Sequence, residues 1–318
     1  MLNDFLLIII GLILLVKGAD FLVKGATGMA RRLKLSEMII GLTIVSIGTS
    51  LPEIFITIKS AIQGHSDLII GNAVGSCICN LLLVLGLASL FRPIKLNKRI
   101  LKIHIPIGIF AMILLLLLGN SPLGEQNVIG RGDGVFLLIC SLLYFIYTIF
   151  EEKREITQEE KNKIQKSGKM SAITMIIYII LGVLGLKFGS DLVVDNCVDI
   201  AERLNISQIV ISMTIIAVGT ALPEIVTSII ASLRDEGDIA LGNIAGSNIL
   251  NLCLLIGLGA VINPLSFSLE FNINIILLII ITFVIEMIVK FDKDNMITRR
   301  KGILLILIFL IYIMKLFI

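Results

Sequence analysis

The chain has 318 residues, of which 57% are hydrophobic and 16% charged, and its formal net charge is +3. An average soluble protein is about 45–50% apolar, with glycine counted, and about 25% charged. The composition therefore predicts a polytopic helical membrane protein. It argues against a soluble enzyme, a disordered chain or a secreted disulfide scaffold, and no nucleic acid is expected as a partner.

Apolar runs separated by polar breaks predict ten membrane-spanning helices, since about 20 residues suffice to cross a bilayer. The expected spans are 3–30, 37–62, 68–91, 100–119, 130–150, 171–201, 206–232, 238–262, 271–289 and 301–317. The longest polar insert is rich in Lys and Glu and is predicted to be a solvated linker or a short helix. The expected regions are a first five-helix unit (1–150), the linker (151–169) and a second five-helix unit (170–318).

The distribution of Lys and Arg predicts how the chain is oriented. Twenty of them lie in or beside the connections on one side, and the other side has only Arg131, Arg203 and Lys315. Because cytoplasmic connections carry the excess of positive charge, both termini are expected outside and the 151–169 linker in the cytoplasm. The predicted location is the cell membrane.

Two segments of the chain are copies of one another. Residues 41–94 and 212–265 align without a gap at an offset of 171. The identical pairs include Gly48 with Gly219, Thr49 with Thr220, Pro52 with Pro223, Glu53 with Glu224, Ser76 with Ser247, and Asn80 with Asn251. Because five spans per copy is an odd number, the copies must cross the membrane in opposite directions. Such inverted repeats are typical of transporters, whose site lies where the halves meet.

The second span of each half contains G-T-[SA]-L-P-E, which predicts a broken helix that carries a carboxylate. Proline has no N–H to donate to the carbonyl four residues back, so each proline frees one backbone oxygen. A charged side chain at the bilayer centre costs about 2.5–3.5 kcal/mol or more, so an intramembrane glutamate is a candidate functional residue. The pattern singles out Thr49, Pro52 and Glu53 in the first half and Thr220, Pro223 and Glu224 in the second.

The third span of each half carries a polar stripe with a repeat of four residues. The stripes are Asn72, Ser76 and Asn80 in the first half and Asn243, Ser247 and Asn251 in the second. Together with the glutamates and the freed carbonyls they offer only oxygen ligands. Oxygen ligands suit Ca²⁺, with Na⁺ as a competitor, and suit Zn²⁺ or copper poorly.

Spans 1 and 6 also contain charged residues at helical spacing. These residues are Lys17, Asp20, Lys24, Lys187, Asp191, Asp195 and Asp199. Residues three or four apart can form ion pairs within one helix. We therefore expect a structural or vestibule-lining role for them rather than direct ion coordination.

The paired segments GTSLPE…GNAVGSCICN and GTALPE…GNIAGSNILN resemble the two α-repeats of the Ca²⁺/cation antiporter superfamily, and most closely the prokaryotic, archaeal-type sodium/calcium exchangers. The resemblance implies an all-α fold of ten helices, in which spans 2, 3, 7 and 8 surround a cluster of four ions. It also implies that spans 1 and 6 slide across this core, and that about three Na⁺ exchange for one Ca²⁺.

The resemblance further implies a set of ion ligands. Glu53 and Glu224 would bind Ca²⁺ together with the carbonyls of Thr49 and Thr220. The side chains that would form the flanking and middle sites are Ser76, Asn80, Ser247 and Asn251, with the oxygens of Ser46 and Ala217 as further candidates. Asn251 stands where the archaeal relatives carry Asp. The potassium-dependent exchangers also carry Asp there, and because this chain has Asn instead, no K⁺ requirement is expected.

The sequence leaves other functions open beside electrogenic Na⁺/Ca²⁺ antiport. Proton/Ca²⁺ antiport would use the same two glutamates as proton carriers, although the motif that is typical of proton-coupled relatives is missing. A cation channel would conduct without a counter-ion. An intramembrane hydrolase would need a nucleophile or metal motif, and neither GxSxG nor HExxH occurs. We expect no enzyme activity, no cofactor beyond the transported Ca²⁺ and Na⁺, the lipid bilayer as surroundings, and a functional monomer.

Overall fold

The computed structural model describes residues 2–33, 35–97, 99–120, 127–152, 170–204, 217–292 and 294–316. The predicted linker 151–169 lies almost entirely outside these residues. The same holds for the first part of the predicted span 206–232, up to residue 216.

Helices make up nearly all of the described chain. The first half contains α1 (Leu2–Leu33), α2 (Glu37–Ile40), α3 (Ser46–Thr49), α4 (Leu51–Gln63), α5 (Ser66–Cys79), α6 (Leu85–Phe91), α7 (Ile105–Gly119) and α8 (Arg131–Glu152). The second half contains α9 (Ala172–Arg203), α10 (Ala217–Thr220), α11 (Leu222–Leu233), α12 (Gly237–Ile249), α13 (Ile256–Ile262), α14 (Glu270–Lys290) and α15 (Arg299–Leu316). Among the described residues, wider π-helical turns precede or interrupt four of the helical segments, and these are π1 (Gly41–Val45), π2 (Asn80–Val84), π3 (Ile100–His104) and π4 (Leu250–Leu255).

The lengths and compositions of the helices agree with a polytopic membrane protein. Within the described residues, seven helices are long and apolar enough to cross a bilayer, and the bent pair Glu37–Thr49 and Leu51–Gln63 makes an eighth. The two parts of that pair meet at 49°. A bend at this place is expected, because Pro52 cannot continue the hydrogen bonding of the preceding helix.

Elements of the two halves recur at the offset found in the sequence. The helices α4 and α11 begin 171 residues apart, and so do α5 and α12, α6 and α13, and the strands β1 (Ile94–Lys95) and β3 (Leu265–Ser266). Two further short strands are β2 (Val128–Ile129) and β4 (Met296–Ile297). β1 pairs antiparallel with β4 and β2 with β3, so each pair joins a connection of one half to a connection of the other.

The long helices α1 and α9 pack against each other in opposite directions at very short range. A Cβ atom added to Gly18 would lie 2.7 Å from the backbone nitrogen of Leu186, and one added to Gly189 would lie 2.8 Å from that of Leu15. Only glycine leaves room for such an approach of two membrane helices.

One Lys–Asp pair forms within each of α1 and α9, at the four-residue spacing expected from the sequence. Lys24 donates to Asp20 at 2.7 Å, and Lys187 donates to Asp191 at 2.6 Å. Asp20 also pairs with Arg234, at the end of α11. These charged groups therefore have local partners, which supports a structural role for them.

Candidate ion-binding site

Each half places one glutamate in the first turn of a helix that follows a break. Glu53 lies in the first turn of α4 and Glu224 in the first turn of α11, and each follows a proline. Only 1% of Glu53 and 2% of Glu224 is exposed. The first turn of a helix presents free N–H groups and the positive end of the helix dipole, so both positions favour a negative charge.

Hydrogen bonds between side chains of the two halves connect the helix break before Glu53 with residues of the second half. The Ser50 hydroxyl donates to Oε1 of Glu224 at 3.2 Å and lies 3.2 Å from the hydroxyl of Ser247. The Thr49 hydroxyl donates to Oδ1 of Asn243 at 3.0 Å. All five side chains are buried. Residues from both copies of the repeat therefore form one polar cluster in the interior of the protein.

The last asparagine of each polar stripe lies where its helix widens into a π-turn. Asn80 is the first residue of π2, and Asn251 is the second residue of π4. Each is 1% exposed. The amide nitrogen of Asn80 donates to Oδ1 of Asn248 at 3.1 Å, and the Cys77 thiol donates to the backbone carbonyl of Asn248 at 3.6 Å. Single π-turns inside α-helices are frequent at functional sites.

Four side-chain oxygens of this cluster are buried and accept no hydrogen bond in the described part of the chain. They are Oε2 of Glu53, Oδ1 of Asn80, Oε2 of Glu224 and Oδ1 of Asn251. A buried acceptor without a partner costs about 1–3 kcal/mol, and more if it is charged. Two equivalent oxygens from each half therefore form a set that a bound cation would satisfy.

The remaining predicted ligands lie around the same breaks. Ser76 and Ser247 are buried on α5 and α12, and Thr220 is half-buried at the end of α10. The carbonyl of Ser46 already accepts from the Ser50 backbone N–H at 3.0 Å and lies 3.3 Å from the Thr49 hydroxyl oxygen. For Ala217, at the start of α10, only the backbone is described.

Several buried polar contacts at the site escaped the sequence analysis. Ser190 on α9 donates to the carbonyl of Gly219 at 2.9 Å, which is the oxygen that Pro223 was expected to free. Asn248 lies one turn before Asn251 on the same helix. Its place on the polar face of α12 was the one signal that could have identified it.

The donor set suits a hard cation that prefers oxygen. No group of three or more His, Cys, Asp or Glu side chains that could hold a metal occurs in the described chain. The cluster combines two carboxylates with neutral amide, hydroxyl and carbonyl oxygens. Such ligands are the ones Ca²⁺ uses, whereas thiolate and imidazole ligands would point to transition metals.

Comparison with known proteins decides the family. The model of the sodium/calcium exchanger protein family matches residues 3–151 and 174–317, which covers both halves. The chain belongs to this family. The match confirms the resemblance carried by the two repeated motifs, and it places the chain in a family of membrane transporters rather than enzymes.

Individual members of the family are similar along almost the whole chain. The sodium/calcium exchanger MaX1 of Methanosarcina acetivorans is 32% identical over 99% of this chain and 98% of its own. The inner membrane protein YrbG of Escherichia coli (strain K12) is 33% identical over 86% of both chains. Among solved structures, the sodium-calcium exchanger NCX_Mj soaked with Na⁺ and Sr²⁺ superposes with a TM-score of 0.84 at 32% identity, over 98% of each chain.

Proposed function

We propose that this exchanger is an antiporter that moves Na⁺ and Ca²⁺ in opposite directions across the membrane through the buried cluster. The observation that carries the proposal is the set of four unpaired, buried oxygens on Glu53, Asn80, Glu224 and Asn251. The relatives MaX1 and NCX_Mj, both named as sodium/calcium exchangers, support the choice of these two ions.

Ca²⁺ is assigned to the space between the two glutamates. It takes six to eight oxygen ligands, among them carboxylates and backbone carbonyls. The proposed ligands are the carboxylates of Glu53 and Glu224 and the carbonyls of Thr49 and Thr220. Na⁺ ions would use the same carboxylates and the flanking side chains Ser76, Asn80, Ser247 and Asn251, with the oxygens of Ser46 and Ala217 at the edge.

The charge of the cluster makes the exchange competitive and electrogenic. With both glutamates ionised and Asn80 and Asn251 neutral, the site carries two negative charges. One Ca²⁺ neutralises them, whereas three Na⁺, the proposed number, leave one positive charge. One leg of the cycle then moves net charge, and its free energy changes by about 2.3 kcal/mol per 100 mV.

Transport requires the cluster to open to each side in turn. Glu53 is 1% and Glu224 is 2% exposed, so both glutamates are enclosed in this conformation. The pair α1 and α9 packs beside the broken helices, and Ser190 of α9 bonds directly to the second break. We propose that this pair moves as one unit across the core and uncovers the cluster alternately on the two sides.

The proposed topology is two inverted copies of five spans, ten in all, divided by the 151–169 linker. Seven of the ten spans are the long helices described above. The other three are the bent pair that ends with α4, the span that ends with α11, and α15. With this count, β1 and β4 lie on the cytoplasmic side and β2 and β3 outside, so both strand pairs join connections on the same side. The positive charges favour both termini outside.

Uptake of ⁴⁵Ca²⁺ into proteoliposomes tests the proposal. Vesicles loaded with Na⁺ should accumulate Ca²⁺, and vesicles loaded with K⁺ should not. Glu53→Gln and Glu224→Gln should each abolish uptake, because one remaining carboxylate cannot neutralise a divalent ion. Asp191→Asn is the matched control, since it removes a half-exposed carboxylate that has its own partner in Lys187.

Three outcomes would contradict Na⁺/Ca²⁺ antiport. Uptake driven by a proton gradient and indifferent to Na⁺ would assign H⁺/Ca²⁺ exchange to the same glutamates. Uptake that needs no counter-ion would indicate a channel. Near-native exchange by either glutamine variant would remove that glutamate from the ion ligands.

A further inference from the structure

Ion pairs connect the C-terminal half of α1 to the core of the protein. In the last turn of α1, Nη2 of Arg31 lies 3.3 Å from Oε1 of Glu236 and 3.7 Å from Oε1 of Glu37. Glu236 stands immediately before α12, and Glu37 is the first residue of α2. Nearer the middle of α1, Asp20 pairs with Arg234, which follows α11. These pairs hold α1 against α2 and against the connection between α11 and α12.

The two carboxylates that face Arg31 are buried. Glu37 is 9% exposed and Glu236 is 8% exposed. Moving one partner away from a buried ion pair leaves an uncompensated charge, which is strongly destabilising unless water replaces that partner. Nε of Arg31 and Oε2 of Glu236 are also buried and have no hydrogen-bond partner in the described chain, so water that enters here would satisfy them. This part of α1 can therefore separate from the core only as water enters between them.

The repeat provides no equivalent of these pairs at the connection between α4 and α5. At the offset of 171, Gln63 corresponds to Arg234 and His65 corresponds to Glu236. Both residues are exposed. Glutamine has no charge, and histidine cannot supply the negative charge of a glutamate. This connection therefore lacks the charges that bind α1 at the equivalent place in the other half.

The charges of α9 are paired away from the core as well. Asp191, which corresponds to Asp20, pairs with Lys187 of its own helix. Arg203 pairs with Asp4 of α1, so this contact lies within the pair of helices that is proposed to move. Among the residues that the structure describes, no ion pair joins α9 to the core.

The packing of the two halves differs in the same direction. Val226 and Ile230 of α11 pack against the hydrophobic cluster that contains Leu22 of α1. The equivalent residues of α4 are Phe55 and Lys59, and both are exposed. α9 makes at most marginal contact with α4. In the described conformation α1 thus covers α11, whereas the equivalent face of α4 is uncovered.

We propose that the pairs of Arg31 with Glu37 and Glu236 and of Asp20 with Arg234 form a latch, which holds the cytoplasmic side of the exchanger closed when no ion is bound. The inference rests on the proposed topology and on the proposed movement of α1 and α9. Because the outer side has no equivalent latch, the ion-free protein opens more readily to the outside. The apparent affinity for an ion falls with the fraction of protein that is competent to bind it, so Ca²⁺ binds more tightly from outside than from the cytoplasm.

Two engineered thiols in a cysteine-free background report on the two sides. Ala231 is fully buried and belongs to the cluster formed with Leu22, Val23 and Ala26 of α1, so Ala231→Cys reports opening on the cytoplasmic side. Lys59 is exposed on the uncovered face of α4, so Lys59→Cys reports closure of the outer side. The initial rate of labelling by N-ethylmaleimide is measured on each purified protein without Na⁺ or Ca²⁺.

Removing the latch should raise the labelling rate on the cytoplasmic side. Asp20→Asn should accelerate labelling of Ala231→Cys roughly 2- to 5-fold, the range expected when a partly exposed ion pair is lost. Arg31→Gln should accelerate it at least as much, because it removes two of the pairs. Neither substitution should accelerate labelling of Lys59→Cys. A variant that merely unfolds would expose Ala231→Cys without lowering the reactivity of Lys59→Cys and would also lose its cooperative melting transition.

Gln63→Arg tests the asymmetry of the two sides, because it places the missing positive charge opposite Asp191. It should slow labelling of Lys59→Cys and accelerate labelling of Ala231→Cys, since closing the outer side favours opening of the cytoplasmic side. Asp191→Asn is the matched control for Asp20→Asn. It removes the equivalent carboxylate, which pairs with Lys187 of its own helix, and should leave both labelling rates unchanged.

Binding of ⁴⁵Ca²⁺, measured on the same proteins, keeps failure of the latch distinct from failure of the proposed function. If Asp20→Asn and Arg31→Gln leave labelling of Ala231→Cys unchanged, or accelerate both reporters alike, the latch is wrong. The ion site stands in that case if Ca²⁺ still binds and Glu53→Gln abolishes the binding. If Glu53→Gln binds Ca²⁺ normally, the proposed ion site fails, whatever the labelling rates show.

Discussion

Replacing Glu53 by Gln should stabilise the ion-free protein while it abolishes Ca²⁺ binding. Without an ion, two buried carboxylates lie in one cluster, and each has one oxygen without a hydrogen bond. Like charges in a shared site oppose each other's ionisation, and an unpaired charged acceptor costs more than the neutral amide that would replace it. Glutamine keeps the shape of the side chain and removes the charge. The two carboxylates therefore lower the stability of the ion-free protein, and the same charges allow the site to bind a cation.

The magnitude of this effect follows from the two costs. If the substitution relieves about 1–3 kcal/mol, the ion-free variant should melt roughly 2–6 °C above the wild type, since a larger chain shifts by about 2 °C per kcal/mol. Adding Ca²⁺ at 100 times its Kd should stabilise the wild type by about 2.7 kcal/mol and the variant not at all. The wild type with Ca²⁺ and the variant without it should thus melt at similar temperatures.

A thiol-reactive fluorophore suits the measurement, because the buried Cys77, Cys79 and Cys253 become reactive on unfolding, whereas the partly exposed Cys140 and Cys197 contribute a baseline signal. Melting curves are recorded in detergent, with chelator and with Ca²⁺. Asp191→Asn is the matched control and should change neither the ion-free melting temperature nor the Ca²⁺ shift. The reasoning is refuted if Glu53→Gln melts below the wild type without ions, or if it retains the full Ca²⁺ shift.

Three further predictions test the topology and the packing around the site. In a cysteine-free background, His65→Cys and Asp294→Cys each place one thiol at an exposed position, before α5 and before β4. An impermeant thiol reagent applied to intact cells should label His65→Cys but not Asp294→Cys, and the reverse result would mean that the topology is inverted. Ser190→Ala should lower the melting temperature by roughly 2 °C, the equivalent of about 1 kcal/mol for one buried hydrogen bond, and an unchanged melting curve would mean that this bond is dispensable. In the uptake assay, Asp191→Asn should retain most of the exchange that Glu224→Gln loses; an equally severe defect would put Asp191 among the ion ligands.

The sequence predicted the parts of the site that local chemistry determines. Proline cannot donate a backbone hydrogen bond, so the break before Glu53 could be placed from the sequence, and the structure has a bend of 49° there. The stripe of Asn80 and Ser76 followed from helical spacing. Because each motif occurs twice at one offset, the residues of the second half could be paired with those of the first.

The contacts between the halves could not be predicted, because spacing along a helix does not say which side chain of another helix will meet it. Ser50 bonding to Glu224 and Thr49 bonding to Asn243 depend on how the two breaks are packed together. The π-turn at Asn80 has no sequence signal of its own. Ser190 was missed for a related reason, since Ala19 stands at the equivalent position of the first half and the repeat therefore gave no indication of it.

Na⁺-driven ⁴⁵Ca²⁺ uptake at a clamped membrane potential tests the central proposal most directly. Proteoliposomes loaded with Na⁺ are set to defined potentials with valinomycin and K⁺, and the initial rate is measured at each. Three positive charges leave for every two that enter, so an inside-positive potential should accelerate uptake and an inside-negative potential should slow it. Uptake that is indifferent to both Na⁺ and voltage would contradict electrogenic exchange at the paired carboxylates.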